Sequence, residues 1–315
     1  MYHPYFRGKQ FELIAIRETA ALMASVGFVP IIEPVKEALK GLEKTLQTIC
    51  DARGSAIVIV NPYHGDHQQD GTNITNLLQT RYIGNNAISA GILLRSSMTL
   101  AQAIDAYEAH KGHSPTFVHA GFTLQKALAE YLRGDLPDSR HVFVEEHANT
   151  LYRKHFDGSR HRVLVRDGFK RLKNAEYTKI PFEEFSELHL TYRSDLNMTG
   201  FGDFLIVGDS YSESGGPAYA VAIHLTFIDP DNDDVMYVYH FVSTTNDTPT
   251  DPAGKFAQAL KQLIDKLNTG NSKLFETNAI KEFRDLHAKR HFPGLGYVKK
   301  LSMKHHIETL ADYLS

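Results

Sequence analysis

The first 167 residues alternate between short apolar runs and amphipathic stretches, and this alternation limits the folds open to the chain more than any other feature. Spacings of roughly 20–30 residues between runs match the size of a βα unit. Runs that are apolar nearly throughout are typical of parallel strands buried on both faces of a sheet. The runs rich in β-branched residues lie at 28–35, 56–62, 87–95, 116–122, 141–146 and 161–167.

The stretches between these runs have the periodicity of helices. Residues 11–27 and 35–54 each place apolar side chains on one stripe, as expected for helices packed against a sheet. Each stretch ends at a glycine, Gly27 or Gly54, before the next apolar run begins. The order of helix, glycine and strand predicts repeated βα units.

The number of strands favours a closed barrel. A short first strand at 5–8 brings the count to seven before residue 170, and 187–193 or 203–209 would supply an eighth. A barrel needs eight strands, whereas a doubly wound open sheet stops near about six. We therefore predict an α/β fold with a (β/α)8 TIM-barrel-like barrel over residues 1–210. The open sheet is the alternative.

The pattern changes after residue 210. Alternating segments at 218–229 and 234–244 flank the turn 230–233 and predict an antiparallel β-hairpin. Helical periodicity follows at 255–270, 278–292 and 304–315. We expect the hairpin and the C-terminal helices of 211–315 to pack on the barrel, so that the chain forms one continuous structural unit.

Composition narrows the functional classes. The net charge is −3, so no overall positive field attracts nucleic acid or anionic membranes. The single cysteine, Cys50, excludes an internal disulfide and a cysteine-clustered metal site. The first residues lack the apolar segment of a signal peptide, and no window approaches the ~18 apolar residues of a membrane span. We expect a cytoplasmic protein without membrane contact.

Four strings in the chain carry a family resemblance. They are YFRGKQFE (5–12), PIIEPV (30–35), FGDFLIVGDSYSESGGPAYAVAIHLTF (201–227) and YHFVSTTND (239–247). In this order they resemble a group of prokaryotic proteins that is similar to the phage-type "beta protein" family. The resemblance implies a barrel-like fold and genes carried on mobile or defence-associated islands. It implies no activity and no catalytic residues.

Candidate functional residues follow from the barrel prediction, because barrel enzymes place their functional side chains at the C-terminal ends of the strands. Carboxylates at such ends would supply acid–base or metal-binding groups, and His119 would shuttle protons. Cations would stabilise negative charge that develops on a substrate. The predicted catalytic residues are Glu33, His119, Glu145 and Asp167, and the predicted substrate-binding residues are Lys9, Arg95, Arg166 and Asn61.

Glu33 is the sharpest single candidate. It interrupts an apolar strand and precedes Pro34, which removes a ladder donor and marks the end of the strand. A carboxylate there would face the barrel mouth and need a cationic partner such as Lys9 or Arg95. The alternative is a purely structural ion pair at the rim.

Two further segments have competing interpretations. The loop His64-Gly65-Asp66-His67 could ligate a divalent metal cofactor, or could be a mobile polar loop. The basic stretch 160–173, with Phe169 and Tyr177 nearby, could grip phosphates and stack nucleic-acid bases, or could be a solvated face.

These patterns lead to two functional hypotheses. The first is a defence-associated hydrolase of phosphate esters or nucleic acid. The second is a non-catalytic binding or scaffold protein whose partner is a neighbouring effector protein. The two hypotheses differ in where the candidate side chains lie. A scaffold lets them form separate pairs at the rim, whereas an enzyme needs them in one pocket. The side chains concerned are Glu33, Glu145, Arg95, His119 and Arg166.

Overall fold

The computed structural model describes residues 1–213, 216 and 218–315. The strands are β1 (Tyr5–Phe6), β2 (Ile31–Ile32), β3 (Ala56–Ile59), β4 (Ile88–Arg95), β5 (Thr116–Ala120), β6 (Arg140–Val144), β7 (His161–Arg166), β8 (Phe182–Ser186), β9 (Gly200–Asp203), β10 (Ala222–Asp229) and β11 (Val235–Val242). The α-helices are α1 (Gln10–Ser25), α2 (Lys40–Asp51), α3 (Thr72–Arg81), α4 (Leu100–Ala109), α5 (Gln125–Tyr131), α6 (Thr150–Lys154), α7 (Leu188–Thr191), α8 (Pro252–Asn268), α9 (Asn278–Lys289) and α10 (Leu295–Tyr313).

Eight parallel strands form the predicted barrel. Strands β1 to β7 pair in sequence order, and β9 pairs with β7. The ring closes where Tyr2 pairs in parallel with Phe201 of β9. The His3 amide donates to the Phe201 carbonyl at 2.8 Å, and the Phe201 amide donates to the Met1 carbonyl at 3.0 Å. The predicted (β/α)8 TIM-barrel-like fold is therefore confirmed.

The barrel interior is a packed core. Side chains alternate between the two faces of a strand, so every second residue points inward. Small and medium apolar side chains fill the inner layers, as is usual for a barrel of this size. The interior cluster contains Tyr5, Ile31, Ile57, Ile59, Leu93, Val118, Val142, Val144, Val163, Val165 and Phe204.

The eighth barrel strand lies at 200–203, and both predicted positions were wrong. Residues 188–191 form α7, and 205–207 form a 3-10 turn. The closing strand contains Gly200 and Gly202 because it lies directly against the amino-terminal segment. A Cβ at Gly202 would lie 2.2 Å from the His3 carbonyl oxygen. A strand built from glycines carries little of the apolar signal from which strands are predicted.

The chain divides into two compact units. The first comprises residues 1–167 and 191–204 and contains the barrel, whereas the second comprises 168–190 and 205–315. The predicted boundary at 210 did not anticipate that 168–190 groups with the second unit. The expected packing of the C-terminal part on the barrel stays a prediction.

The second unit is built on the predicted hairpin. Strands β10 and β11 pair antiparallel from Ala222↔Val242 to Asp229↔Val235, which confirms the hairpin. The sheet has a third strand, β8, which was not predicted. Helices α8, α9 and α10 cover one face, and their apolar side chains form a core with Ile223, Leu225 and Phe227.

A helix that crosses a membrane must be both long and apolar. In the described part of the chain, no helix is both long and apolar enough to cross a membrane.

Candidate functional site at the strand ends of the barrel

Four polar side chains form the inward-facing positions at the C-terminal ends of the first four strands. Each follows an inward apolar residue by two positions, as Arg7 follows Tyr5 and Arg95 follows Leu93. The same alternation places Glu33 after Ile31 and Asn61 after Ile59. We call these four residues the mouth layer: Arg7, Glu33, Asn61 and Arg95.

Glu33 is fully buried and accepts four hydrogen bonds. The Arg7 guanidinium and the Tyr5 hydroxyl donate to Oε2, the latter at 3.0 Å. The backbone amides of Tyr63 and His64 donate to Oε1 at 2.8 and 3.1 Å. Both carboxylate oxygens are thus committed, so Glu33 ties the end of β2 to the loop after β3.

The prediction of Lys9 as the cation beside Glu33 needs correction, because the cation hydrogen-bonded to Glu33 is Arg7. Strand β1 ends at Phe6, and Arg7 continues its alternation on the inward side. Lys9 instead occupies the N-cap position of α1. The Glu33 carboxylate faces the mouth as predicted, but its contacts connect β2 with Arg7 and with the loop after β3.

The loop between β3 and α3 is fixed in place by backbone contacts. The Asp66 carboxylate accepts from the Glu37 amide at 2.7 Å, and Nε2 of His67 lies 3.0 Å from the Lys36 carbonyl oxygen. Gly65 has a φ of +76° and lies against Val35. These bonds use Asp66 and one ring nitrogen of His67, two of the three side chains that were considered as metal ligands. Among the described side chains, no three from this loop lie close enough to share an ion.

Asn61 fixes the position of β4. Its Nδ2 donates to the Leu93 carbonyl at 2.9 Å, and its Oδ1 accepts from the Leu93 amide at 2.8 Å. The side chain therefore continues the strand ladder after β3 has ended. Both ends of the amide bind backbone, so Asn61 positions β4 two residues before Arg95.

Arg95 is the cation of the mouth layer that has no carboxylate partner. Its guanidinium carbon lies 4.6 Å from the centroid of the half-exposed Tyr63 ring. Its Nε is buried and has no hydrogen-bond partner within the described residues. None of the ion pairs found in that part of the chain includes Arg95. Buried donors are nearly always satisfied, and Arg95 as a whole is partly exposed. Its guanidinium is therefore available to a partner from outside these residues.

Glu145 and Arg166 form a separate pair. The Arg166 guanidinium donates through both Nε and Nη2 to the Glu145 carboxylate, the second bond being 3.0 Å long. Arg166 follows the inward-facing Val165, so alternation turns it toward the helices. Burial is the largest cause that lowers the pKa of Arg153 on α6, while Glu145 raises that pKa and Arg166 lowers it. Asp167, the last residue of the first unit in this segment, is exposed.

His119 does not lie at the mouth, and that prediction was wrong. Its neighbours in β5, Val118 and Ala120, face the barrel interior, so His119 faces the helices. It is fully buried beside Phe143 and Phe156. A histidine inside a strand can lie on either face, and the side-chain type alone does not decide between the two faces.

A buried chain of hydrogen bonds holds His119. The Tyr152 hydroxyl lies 2.7 Å from Nδ1 of His119, and Nε2 of His119 lies 2.9 Å from Nδ1 of His141. The chain ends with Nε2 of His141 at 2.8 Å from Oγ of Ser139. Burial, and next the neighbouring His141, lower the pKa of His119 well below 6.5. The imidazole is therefore neutral and structural, not a proton shuttle at the mouth.

Two arginines of the basic stretch 160–173 are held by other residues of the first unit. Arg162 is buried, pairs with Asp157 at 2.7 Å and donates to the Asn197 carbonyl at 3.1 Å. The stretch also divides between the two units after residue 167. Its arginines therefore support structure, at least at Arg162 and Arg166.

Sequence reasoning missed Tyr63. The residue follows Pro62 directly after an apolar strand, and an aromatic side chain at that point was the available signal. The position of this ring depends on Glu33, which accepts from the Tyr63 amide and thereby places the ring beside Arg95.

No protein-family model matches the chain, and no curated protein matches its sequence. The resemblance to the beta protein family stays a prediction.

Proposed function

We propose that the barrel is a binding protein, not a hydrolase, and that Arg95 holds a phosphate group of its ligand at the strand-end mouth. The observation that carries this proposal is the state of Arg95. It combines a buried donor without a partner, the lack of any carboxylate partner among the described residues, and a position beside an exposed aromatic ring.

Phosphate suits this arginine for geometric reasons. A guanidinium offers a planar fork of donors that matches two phosphate oxygens, and such charge-assisted pairs are strong. The Tyr63 ring holds the guanidinium from one side and leaves its edge for a ligand. Arg7, the other cation of the mouth layer, is already paired with Glu33, so Arg95 remains the mouth-layer cation for an incoming anion.

The distribution of the predicted catalytic residues supports binding over hydrolysis. Glu33 and Glu145 are each committed to an arginine, and His119 lies in the layer between barrel and helices. Below the mouth layer, the Phe204 ring packs 4.9 Å from Tyr5 and fills the interior. Phosphoester hydrolysis would need a free acid or base beside the phosphate. The side chains expected in one pocket instead form separate groups.

Calorimetric titration of the whole protein with inorganic phosphate and with adenosine monophosphate tests the proposal. We expect Arg95→Gln to weaken phosphate binding by about 10-fold or more, the worth of a hydrogen-bonded charge. The matched control is Arg133→Gln, which removes an exposed arginine that pairs with Glu130. The control should bind as the natural protein does.

Two results would overturn this proposal. One is absence of phosphate binding, or equal binding by the Arg95→Gln variant. The other is turnover of single-stranded DNA, RNA or a simple phosphodiester with Mg²⁺, Mn²⁺ or Zn²⁺, which would favour the hydrolase.

A further inference from the structure

We infer a second ligand site in the first unit, in the cleft between α1 and α2, which takes a small organic anion that carries one apolar ring. The site does not depend on the mouth layer and goes beyond the function proposed above. Its argument uses the size of the cleft, its floor and its charges.

The cleft has the size of a small ring. Its volume is about 180 Å³, somewhat larger than the ~150 Å³ apolar cavity that is known to bind benzene. The apolar side chains Leu13, Val35, Leu39 and Leu42 line it. A ring placed against these side chains would remove its own apolar surface from water, at about 25 cal/mol per Å².

Two cations lie in the lining, and none of the lining residues is acidic. Neither Arg17 nor Lys36 takes part in an ion pair within the part of the chain that the structure describes. Their charges are therefore available to an anion. Gln10, the first residue of α1, also lines the cleft. The amino end of a helix favours negative charge.

The Arg17 charge is held in position, and Lys36 is fixed at its backbone. The Arg17 guanidinium donates to Oγ1 of Thr45 at 2.9 Å, which fixes its direction. The Lys36 backbone is held by Nε2 of His67 at 3.0 Å, and the next amide, that of Glu37, by Asp66. A preorganised charge loses less side-chain entropy when a ligand binds.

Floor and charges together select the ligand class. A bare phosphate ion would make no use of the apolar lining of the cleft, and a neutral hydrocarbon would make no use of the charges of Arg17 and Lys36. An aryl phosphate or aryl carboxylate satisfies both, because one end is apolar and the other anionic.

The test is a fluorine NMR titration of the full-length protein with 4-fluorophenyl phosphate, which reports binding through the ligand signal. We expect Lys36→Gln to weaken binding about threefold to tenfold. Ala38→Phe, which places a ring in the cleft from an exposed lining position, should abolish the binding that the Arg95→Gln variant retains. The matched control is Lys44→Gln, an exposed lysine of α2 outside the cleft.

Further arms separate this site from the mouth. Arg95→Gln should leave binding of 4-fluorophenyl phosphate in the cleft unchanged, and 4-fluorobenzyl alcohol should bind more weakly than the phosphate. No binding up to about 10 mM ligand, or binding that is lost in Arg95→Gln yet kept in Lys36→Gln and Ala38→Phe, would overturn the inference. The second result would leave the mouth proposal standing.

Discussion

At the scale of single residues, Glu33 shows what the sequence can and cannot predict. Its charge within an apolar strand, followed by Pro34, marked it as a residue that needs a partner. The partner was misjudged because β1 is only two residues long, so whether Arg7 or Lys9 continues its inward side was not evident. Both carboxylate oxygens of Glu33 accept hydrogen bonds, which favours a structural ion pair at the rim over a catalytic base.

Replacement of Glu33 by Gln should lower the free energy of unfolding. The amide cannot accept from Arg7, Tyr5 and two backbone amides at once, and it leaves the buried guanidinium without its counter-charge. Breaking a buried ion pair costs about 3–5 kcal/mol. Urea unfolding measures the loss, with the exposed Glu37→Gln as control. Unchanged stability together with lost ligand binding would return Glu33 to the catalytic hypothesis.

His119 provides a second prediction about stability. Replacement by Phe retains the packing with Phe143 and Phe156 but leaves the Tyr152 hydroxyl and Nδ1 of His141 unsatisfied. Each buried orphan group costs about 1–3 kcal/mol. We expect lower stability in urea, while binding of phosphate stays unchanged. A stable variant that no longer binds phosphate would show that His119 acts at the mouth after all.

At the scale of elements, apolar runs predicted the strands and missed what the loops do. The seven runs coincide with β1 to β7, whereas the glycine-containing β9 and the polar β8 carry no such signal. The β3–α3 loop looked mobile in the sequence because it is polar. Its contacts with Glu33 and with the backbone of 35–37 instead make it the support on which Tyr63 rests.

A pair of glycine substitutions tests that support. Gly65 and Gly27 both have positive φ, at +76° and +72°. A Cβ at Gly65 would lie 2.1 Å from the Val35 carbonyl oxygen, whereas a Cβ at Gly27 meets nothing within 4 Å. Gly27→Ala should cost about 1 kcal/mol, the usual strain at positive φ.

Gly65→Ala should cost clearly more than Gly27→Ala in thermal or urea unfolding, because the loop must shift to relieve the clash. Phosphate binding should weaken in Gly65→Ala alone, since Tyr63 moves with the loop. Equal losses in both variants would mean that the loop is not held against 35–37.

At the scale of the whole molecule, the sequence predicted the barrel and the hairpin but not the convergence of the candidate site. Strand ends were identifiable, but the face on which each side chain lies depends on a strand register that the sequence does not reveal. Alternation along the strands places Glu33 and Arg95 on the inward face of the barrel, whereas Arg166 and His119 face the helices. Grouping of 168–190 with the second unit depends on β8 pairing with β11, a long-range contact.

Buried neutral histidines make the stability of the protein depend on pH. Burial is the largest cause that lowers the pKa of His3 and His141 to about 3, that of His305 to about 4, and those of His119 and His224 well below 6.5. The unfolded chain takes up these protons near pH 6.5, and the folded protein does so only at lower pH. The stabilisation is therefore complete above pH 6.5 and is lost as pH falls toward the folded pKa values.

The slope is measurable by urea unfolding between pH 7.5 and 5.5, where carboxylates titrate little. Each such histidine contributes up to about 1.4 kcal/mol per pH unit below its unfolded pKa. We expect the free energy of unfolding to fall steadily as pH decreases. A value that stays constant across this range would mean that these imidazoles are accessible to protons in the folded state.

The most direct test of the central claim observes the Nε–H group of Arg95 itself. A ¹H–¹⁵N spectrum of the arginine Nε region, with Arg95 assigned by its loss in Arg95→Lys, is recorded during titration with inorganic phosphate. We predict a saturable downfield shift of the Arg95 Nε–H proton, and no such shift when chloride replaces phosphate at equal ionic strength. An Arg95 signal that stays in place while phosphate is added would contradict the account.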